Sequence, residues 1–202
     1  MRFWKMNGAG NDFIIINNMV EHLPETCFPT LARTLCERHL SIGADGLMIV
    51  DAPLQGGDYR MLFFNSDGSL GEMCGNGARC FALFAEHRGI GGETKFFDAA
   101  DGLHTARIRR LKGTSGEIEL GMTAVREIRT GDGWWFLNTG VPHYVEFVDE
   151  LETVDVTGRG RAIRRDTARF PQGTNVNFVQ IAGDGAIRIR TYERGVENET
   201  LA

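Results

Sequence analysis

The sequence has few cysteines, no long apolar run and no excess of basic residues. Its 4 cysteines in 202 residues are too few for a disulfide scaffold, and none shows the C-x2-C spacing of a zinc site, so we expect reduced thiols and no metal. No apolar stretch approaches the roughly 20 residues of a membrane span, and the first residues lack the apolar segment of a secretory signal. A net charge of -5 argues against a nucleic-acid surface. We therefore expect a cytoplasmic protein that binds neither membranes nor nucleic acid.

Glycine, by contrast, is abundant. The chain has 26 glycines, where average usage would give about 14. They cluster at residues 8–10, 71–77 and 89–92. Because glycine lacks a Cβ atom, these clusters predict tight turns and places where two stretches of backbone approach closely.

The hydrophobic pattern predicts an α+β fold. Residues 29–40 and 76–88 show helical spacing, and the second of these helices is apolar on nearly all sides, which predicts that it is buried. Short alternating or β-branched runs predict strands at residues 13–16, 47–50, 59–64, 134–137, 144–148, 176–181 and 186–192. A buried helix among many strands predicts a sheet curled around a central helix.

Small and polar residues at 112–116 interrupt this pattern, and strands resume after them. We therefore expect two domains, residues 1–114 and residues 115–202. Asn65 and Glu193 lie at similar strand ends that lead into loops, which favours an internal duplication.

The position of Cys74 favours a catalytic role. It opens the buried helix and is followed by Gly75, Asn76 and Gly77. The helix macrodipole and unpaired N–H groups at this end favour an anion, which lowers the pKa of a thiol. The N–H groups of Gly75 and Asn76 could also hold a substrate carboxylate and stabilise charge developing beside it. From this loop alone, a small buried cysteine before a glycine turn is an equally good interpretation.

Five stretches of sequence, in order along the chain, carry a specific resemblance to the diaminopimelate epimerase family. The most distinctive is residues 63–69 (FFNSDGS) followed by residues 73–80 (MCGNGARC). The others are 5–13 (KMNGAGNDF), 43–46 (GADG), 140–143 (GVPH), and 192–195 (YERG) with 199–200 (ET).

The resemblance implies two pseudo-symmetric domains, each a curled, mostly antiparallel sheet around a central helix. It also implies epimerisation of LL-diaminopimelate to meso-diaminopimelate in lysine and peptidoglycan-precursor biosynthesis, without pyridoxal phosphate or any other cofactor. In this chemistry two cysteines face opposite sides of the α-carbon. One thiolate removes the proton and the other thiol delivers one. The expected partner is thus a small amino-acid substrate, and a homodimer is compatible with the resemblance.

The resemblance further implies roles for individual residues. Cys74 matches the first cysteine, while His143 and Glu193 are expected to tune the protonation of the thiols. The residues matching substrate-binding positions are Asn11, Asn65, Gly75, Asn76, Asn175, Glu193 and Arg194. Their chemistry fits, because a guanidinium binds a carboxylate through two hydrogen bonds and an asparagine both donates and accepts.

Three features depart from the family pattern. Val141 stands where many members have a substrate-binding Asn, and Gly46 where some have Gln, so the substrate is less firmly implied than the reaction. The second catalytic cysteine of the family follows a Glu-Thr-x-Ala motif, whereas this sequence ends at Ala202. We therefore expect a longer protein whose second domain gains its central helix beyond this chain, and expect the 202-residue chain alone to be inactive.

Other functions are compatible with parts of the sequence. A proline racemase or hydroxyproline epimerase would share the fold but typically has His after Cys-Gly, where this chain has Asn76. Phenazine-biosynthesis isomerases of the fold lack the thiol. A non-catalytic module could bind a carboxylate through Gly75 and Asn76. A thiol nucleophile paired with His143 would form a covalent intermediate, which an epimerase does not.

Overall fold

A computed structural model describes residues 1–125 and 127–200. The chain divides into two compact units, Met1–Thr123 and Ala124–Ala202. Arg126 and the last two residues of the expected second domain, Leu201 and Ala202, lie outside the described part.

The first unit is a sheet curled around one helix. The elements are β1 (Trp4–Gly8), β2 (Asn11–Asn17), α1 (Asn18–Glu21), α2 (Phe28–Cys36), β3 (Gly46–Asp51), β4 (Tyr59–Asn65), α3 (Gly75–Arg88), β5 (Thr94–Ala99), β6 (Gly102–Lys112) and β7 (Ser115–Gly121). The strands follow each other in the sheet in chain order. The pairs β2–β3 and β4–β5 are parallel and the other neighbours are antiparallel. Because α3 packs against β1 and β7, which are the two edges of the sheet, the sheet must bend around this helix.

The predicted burial of α3 is confirmed. Its central turn buries apolar residues on every side, including Phe81, Leu83 and Phe84. Gly89 ends the helix in the left-handed conformation at φ 64°, which glycine adopts without the steric cost of a Cβ atom. The curled inner face of the sheet and α3 thus form one apolar core that holds the N-terminal turn of α3 in place.

A second core lies on the other face of the same sheet. Helix α2 buries Phe28, Ala32 and Cys36, which are spaced four residues apart and so share one face. The prediction of a helix over 29–40 is right in kind but too long. The helix ends at Cys36, because Glu37 is extended at ψ 113°.

The second unit repeats part of this arrangement. Its described elements are β8 (Ile128–Gly131), β9 (Trp134–Asn138), β10 (Pro142–Phe147), α4 (Val156–Arg164), β11 (Asn175–Ile181), β12 (Ile187–Glu193) and β13 (Asn198–Thr200). Strands β10 and β11 are parallel and joined through α4, which packs on β11 and β12. Their order in the sheet is β13-β12-β11-β10-β9-β8. The series β2-α2-β3-β4 and β10-α4-β11-β12 therefore have the same topology, and their last strands end at Asn65 and Glu193.

The predicted domain boundary differs from the division into compact units. Residues 112–116 form the turn of the hairpin between β6 and β7, where Gly113 has φ 57°. The glycine-rich composition there reflects a tight turn inside the first sheet. The chain leaves the first unit only after Thr123.

Among the helices of the described residues, none combines the length and apolar character needed to cross a bilayer.

Candidate functional site

Cys74 is the N-cap residue of α3. Its backbone is extended, at φ -118° and ψ 110°, and its Sγ accepts a hydrogen bond from the N–H of Gly77 at 3.4 Å. The side chain is partly exposed. The thiol therefore lies where the partial positive charge of a 14-residue helix is concentrated, which stabilises negative charge on the sulfur.

Two glycines allow this end of α3 to pack closely. A Cβ atom on Gly77 would lie 1.7 Å from Cε of Met48, and one on Gly8 would lie 2.6 Å from the carbonyl oxygen of Asn76. Both distances are far below van der Waals contact, so neither position accepts a side chain without displacement. The turn between β1 and β2 therefore presses directly on the first turn of α3.

A chain of side-chain hydrogen bonds joins that turn to the helix. Nδ2 of Asn76 donates to Oδ1 of Asn11 at 2.9 Å, and Nδ2 of Asn11 donates to Oδ2 of Asp45 at 3.2 Å. Asn11 is buried at 6% exposure. The structure thus brings together two predicted substrate-binding residues, Asn11 and Asn76, beside Cys74.

The carboxylates of Asp12 and Asp45 lie together behind this chain. Asp45 Oδ2 also accepts from the backbone N–H of Asp12 at 3.1 Å, and Asp12 Oδ1 accepts from the N–H of Asp45 at 3.0 Å. Lys5 and Arg38 balance the charge, at 2.8 Å from Asp12 Oδ2 and 2.8 Å from Asp45 Oδ1. Partial burial alone would raise the pKa of Asp12, but hydrogen bonds from Arg38 and Lys5 outweigh it and lower the pKa to about 2.

Asn65 is not part of the hydrogen-bonded chain that contains Asn11 and Asn76. Its Nδ2 donates to Oγ of Ser69 at 3.0 Å, inside the turn that follows β4. Asp67 Oδ1 accepts from both the N–H and the hydroxyl of Ser69, at 2.8 and 2.6 Å. The predicted substrate-binding amide is therefore fixed by its own turn, and its Cα pairs with that of Gly46 on β3.

Gly46 has a structural reason to lack a side chain. A Cβ atom there would lie 2.3 Å from Cε2 of Phe63, and one on Gly71 would lie 2.3 Å from Cδ1 of the same ring. The Phe63 ring is also in edge-to-face contact with Phe13, with centroids 6.1 Å apart. In this chain an aromatic ring thus fills the space that a Gln at position 46 would need.

The second unit brings His143, Asn175 and Arg194 together. His143 on β10 and Asn175 on β11 are paired in the parallel register. Asn175 Oδ1 accepts from the N–H of Arg194 at 2.8 Å, and the Arg194 guanidinium donates to the carbonyl of Gln172 at 3.0 Å. Glu193, which directly precedes Arg194, ends β12. The predicted residues of this unit therefore cluster at matching ends of neighbouring strands.

Asn177 orients His143. Its Nδ2 donates to Nδ1 of His143 at 3.2 Å and to the carbonyl of Tyr144 at 2.8 Å, and its Oδ1 accepts from the Thr191 hydroxyl at 3.0 Å. Because Nδ1 accepts, the proton of the neutral imidazole is on Nε2. Burial, and then the charge of Arg194, lower the pKa of His143 from its usual range. The imidazole is therefore held in one neutral tautomer at neutral pH.

The two buried cysteines, Cys36 and Cys80, differ from the partly exposed Cys74. Burial raises the pKa of Cys80 to about 12 and that of Cys36 to about 11, so both remain thiols in the protein core. Within the two described ranges no group of three or more His, Cys, Asp or Glu side chains is arranged to hold a metal ion.

Asp45 and Asn177 were not identified as site residues from the sequence. Asp45 belongs to the GADG motif and Asn177 follows Asn175 by two residues, so each lay within a noted segment. Each of them orients a neighbouring side chain. A sequence motif does not show which side chains become neighbours in the fold.

Comparisons with known sequences agree on one family. A model described as diaminopimelate epimerase matches residues 3–122 and 135–202. Diaminopimelate epimerase of Flavobacterium psychrophilum is 42% identical over 202 residues, covering 100% of this chain and 77% of the relative. Diaminopimelate epimerase of Aquifex aeolicus is 42% identical over 215 residues, with the same two coverages of 100% and 77%.

Solved structures support the fold. A PhzF-family phenazine biosynthesis protein of Bacillus anthracis matches with a TM-score of 0.72 at 13% identity, covering 99% of this chain and 76% of that one. A probable proline racemase of Agrobacterium radiobacter matches with a TM-score of 0.70 at 14% identity, covering 94% and 69%. At such identities the likeness concerns the fold alone. The sequence matches, by contrast, extend across both units, and the chain therefore belongs to the diaminopimelate epimerase family.

Proposed function

We propose that this protein epimerises LL-diaminopimelate to meso-diaminopimelate by proton transfer at the α-carbon, with Cys74 as one of two acid/base thiols. Support comes from its family and from relatives such as the Flavobacterium psychrophilum enzyme, which is named diaminopimelate epimerase. The observation that carries the proposal is the thiol of Cys74 at the N-cap of α3.

This position suits both halves of the reaction. As a thiolate, Sγ takes the α-proton, and the electron pair left on the α-carbon spreads onto the adjacent carboxylate. Donors fixed near that carboxylate lower the barrier because they act where charge develops. The N–H groups of Gly75 and Asn76 are oriented by the helix for this purpose. A second thiol on the opposite side then delivers its proton, and the centre is inverted.

The described residues of the second unit have complementary roles. Arg194 binds the substrate carboxylate, Glu193 binds the amino group, and Asn175 binds the substrate through its amide. His143, neutral and protonated on Nε2, tunes the protonation of the catalytic thiols. The hydrogen bond from Arg194 to Asn175 and the one from Asn177 to His143 support these roles, because each fixes a polar group before substrate binds.

The family to which the chain belongs also suggests where the protein is located in the cell and how it assembles. We place the protein in the cytoplasm, where its thiols would stay reduced, as the protonation chemistry requires. A homodimer is the proposed assembly, and light scattering on the full-length protein would distinguish it from a monomer by a twofold difference in mass.

Incubation of the full-length protein with LL-diaminopimelate in deuterated water tests the reaction. We expect meso-diaminopimelate to form with solvent deuterium at the inverted α-carbon and with no covalent adduct on the enzyme. Proline and hydroxyproline serve as competing substrates. Absence of the meso isomer, or exchange on proline instead, would exclude this function.

Substitution of Cys74 tests the role of the thiol. Cys74→Ser keeps nearly the same size but supplies a far weaker acid, so turnover should fall at least about 10²-fold. The urea unfolding midpoint should change little. Cys27→Ser is the matched control, since this partly exposed cysteine lies outside the site, and it should retain wild-type turnover. Wild-type turnover in Cys74→Ser would remove the thiol from the mechanism.

A further inference from the structure

We propose that Asp45 is a positioning residue, which fixes the direction of the Asn11 amide and thereby the pattern of hydrogen-bond donors and acceptors beside Cys74. This inference rests on the proposed function, because it assigns a role at the same site.

The argument begins with the symmetry of an amide. The oxygen and nitrogen ends of an asparagine side chain have nearly the same shape, so packing alone does not choose between two orientations that differ by a half-turn. The choice depends on what each end faces. Asn11 is buried at 6% exposure, so each wrong pairing would leave a polar group unsatisfied.

Asp45 makes this choice for Asn11. Its Oδ2 lies 3.2 Å from Nδ2 of Asn11, and an ionised carboxylate only accepts hydrogen bonds. The nitrogen of the amide must therefore face Asp45, and the oxygen must face Asn76. A reversed amide would direct oxygen towards carboxylate oxygen on one side and nitrogen towards the Nδ2 of Asn76 on the other.

Asn76 transmits this choice to the helix. Because Asn11 Oδ1 accepts from Nδ2 of Asn76 at 2.9 Å, the oxygen of Asn76 is directed elsewhere and lies 3.5 Å from a guanidinium nitrogen of Arg79. Asn76 is in the first turn of α3, two residues after Cys74. One carboxylate thus sets the orientation of two amides, the second of which belongs to the first turn of α3.

Asp45 itself is held rigidly enough for this role. The N–H of Asp45 donates both to the carbonyl of Asp12 at 2.9 Å and to the Asp12 carboxylate at 3.0 Å. The N–H groups of the two preceding residues, Gly43 and Ala44, donate to the end of α2 at 2.9 and 3.1 Å. Its second oxygen pairs with Arg38 at 2.8 Å, on the exposed side of the cluster.

Three variants of the full-length enzyme separate positioning from charge. Asp45→Ala removes the acceptor, and we expect KM for LL-diaminopimelate to rise about 10- to 100-fold, by analogy with the loss seen when residues that orient metal ligands are replaced. The α-proton exchange rate at saturation should fall less, because Asn11 binds substrate but transfers no proton. Asp45→Asn can still direct an oxygen towards Asn11, so it should recover most of the lost affinity. Arg38→Gln removes the ion pairs of the guanidinium with Asp12 and Asp45 but keeps the hydrogen bond between Asp45 and Asn11. It should leave KM within about twofold of wild type.

A spectroscopic measurement follows the amide directly. The side-chain amide protons of Asn11, assigned by their absence in Asn11→Asp, should move upfield in Asp45→Ala and stay near the wild-type position in Arg38→Gln. If Asp45→Ala does not fold, Asp45→Glu replaces it. The extra methylene displaces the carboxylate while keeping its charge, so the same changes are expected there.

The outcomes are distinguishable. Wild-type KM and amide shifts in Asp45→Ala, or in Asp45→Glu where it replaces Ala, would overturn the inference. An equal rise of KM in Arg38→Gln would also overturn it, since the effect would then come from the charge cluster. If wild type itself does not epimerise diaminopimelate, the proposed function fails, whereas the amide shifts still decide whether Asp45 orients Asn11.

Discussion

Gly8 offers a sharp test of how closely the candidate site is packed. Replacing Gly8 by Ala adds a methyl group 2.6 Å from the backbone oxygen of Asn76 and 2.9 Å from Sγ of Cys80. Ordinary contact begins at 3.4 Å, so the β1–β2 turn and the start of α3 must separate by about 0.8 Å. Because the nearer atom belongs to the backbone, a change of side-chain rotamer does not relieve the contact.

The expected effects on stability and on turnover differ in size. Overpacking of this kind costs about 1–3 kcal/mol, and the reduced freedom of the unfolded chain returns about 0.4–1 kcal/mol. The free energy of unfolding should therefore fall by about 1–2 kcal/mol. A displacement near 1 Å at a reacting group can cost about 10²-fold in rate, so kcat/KM should fall by about that factor in a protein that remains folded.

Urea unfolding and α-proton exchange, measured on the same full-length preparation, provide the two quantities. Gly92→Ala is the matched control, because a Cβ atom there meets only the carbonyl oxygen of Thr94, at 4.0 Å. It should match wild type in both assays or be slightly more stable. If Gly8→Ala kept the wild-type exchange rate, close contact between the turn and the helix would not be needed for the reaction.

Two further predictions concern the surroundings of the site. The pKa of Asp12 is lowered to about 2 in the folded protein, so its stabilisation is present above its ordinary pKa and is lost as the pH falls through 2. Measured by thermal unfolding, the free energies of unfolding of wild type and Asp12→Asn should differ by about 1–2 kcal/mol above pH 5, which is less than the full pKa shift implies because the side chain is partly solvated. This difference should disappear as the pH approaches 2. A difference that does not depend on pH would contradict the prediction. Gly46→Gln should lower the free energy of unfolding by about 1–3 kcal/mol because the new side chain meets the Phe63 ring. Adding Phe63→Ala should recover part of this loss. If the losses of the two single variants simply add in the double variant, the two side chains do not compete for the same space.

Much of the fold could be predicted where one residue pattern dominates. The buried helix predicted at 76–88 is observed as α3, Gly75–Arg88, because an apolar surface on every side fits only a central position. The predicted strand over 59–64 is observed as β4, Tyr59–Asn65. In both segments local preference and burial favour the same structure.

Other elements were not predictable for physical reasons. Helix α4 contains Gly158 and Gly160, which disfavour a helix in isolation. A Cβ atom on Gly160 would lie 2.4 Å from Cβ of Tyr192, so tertiary packing requires glycine there. The hairpin β6–β7 alternates apolar residues with exposed charges such as Arg107 and Glu119. Such alternation does indicate a strand, but the glycine-containing turn between β6 and β7 resembles a break between domains.

The candidate site was predictable in its parts but not in its connections. The motifs identified Asn11 and Asn76, which lie 65 residues apart in sequence and 2.9 Å apart between side-chain atoms in the structure. Nothing in the sequence indicated that Asp45 would face the other end of the Asn11 amide, because that depends on the parallel pairing of β2 with β3.

The hydrogen bond from Gly77 to the sulfur of Cys74 makes the helix a reporter of the thiol's charge. A thiolate accepts more strongly than a thiol, so each gain or loss of a proton at Sγ should shift the Gly77 amide resonance and alter how readily that amide exchanges with solvent. The first turn of α3 would then tighten when the sulfur is ready to abstract a proton and loosen after it has done so. The resonance of the Gly77 backbone nitrogen would therefore report the protonation state of the Cys74 sulfur.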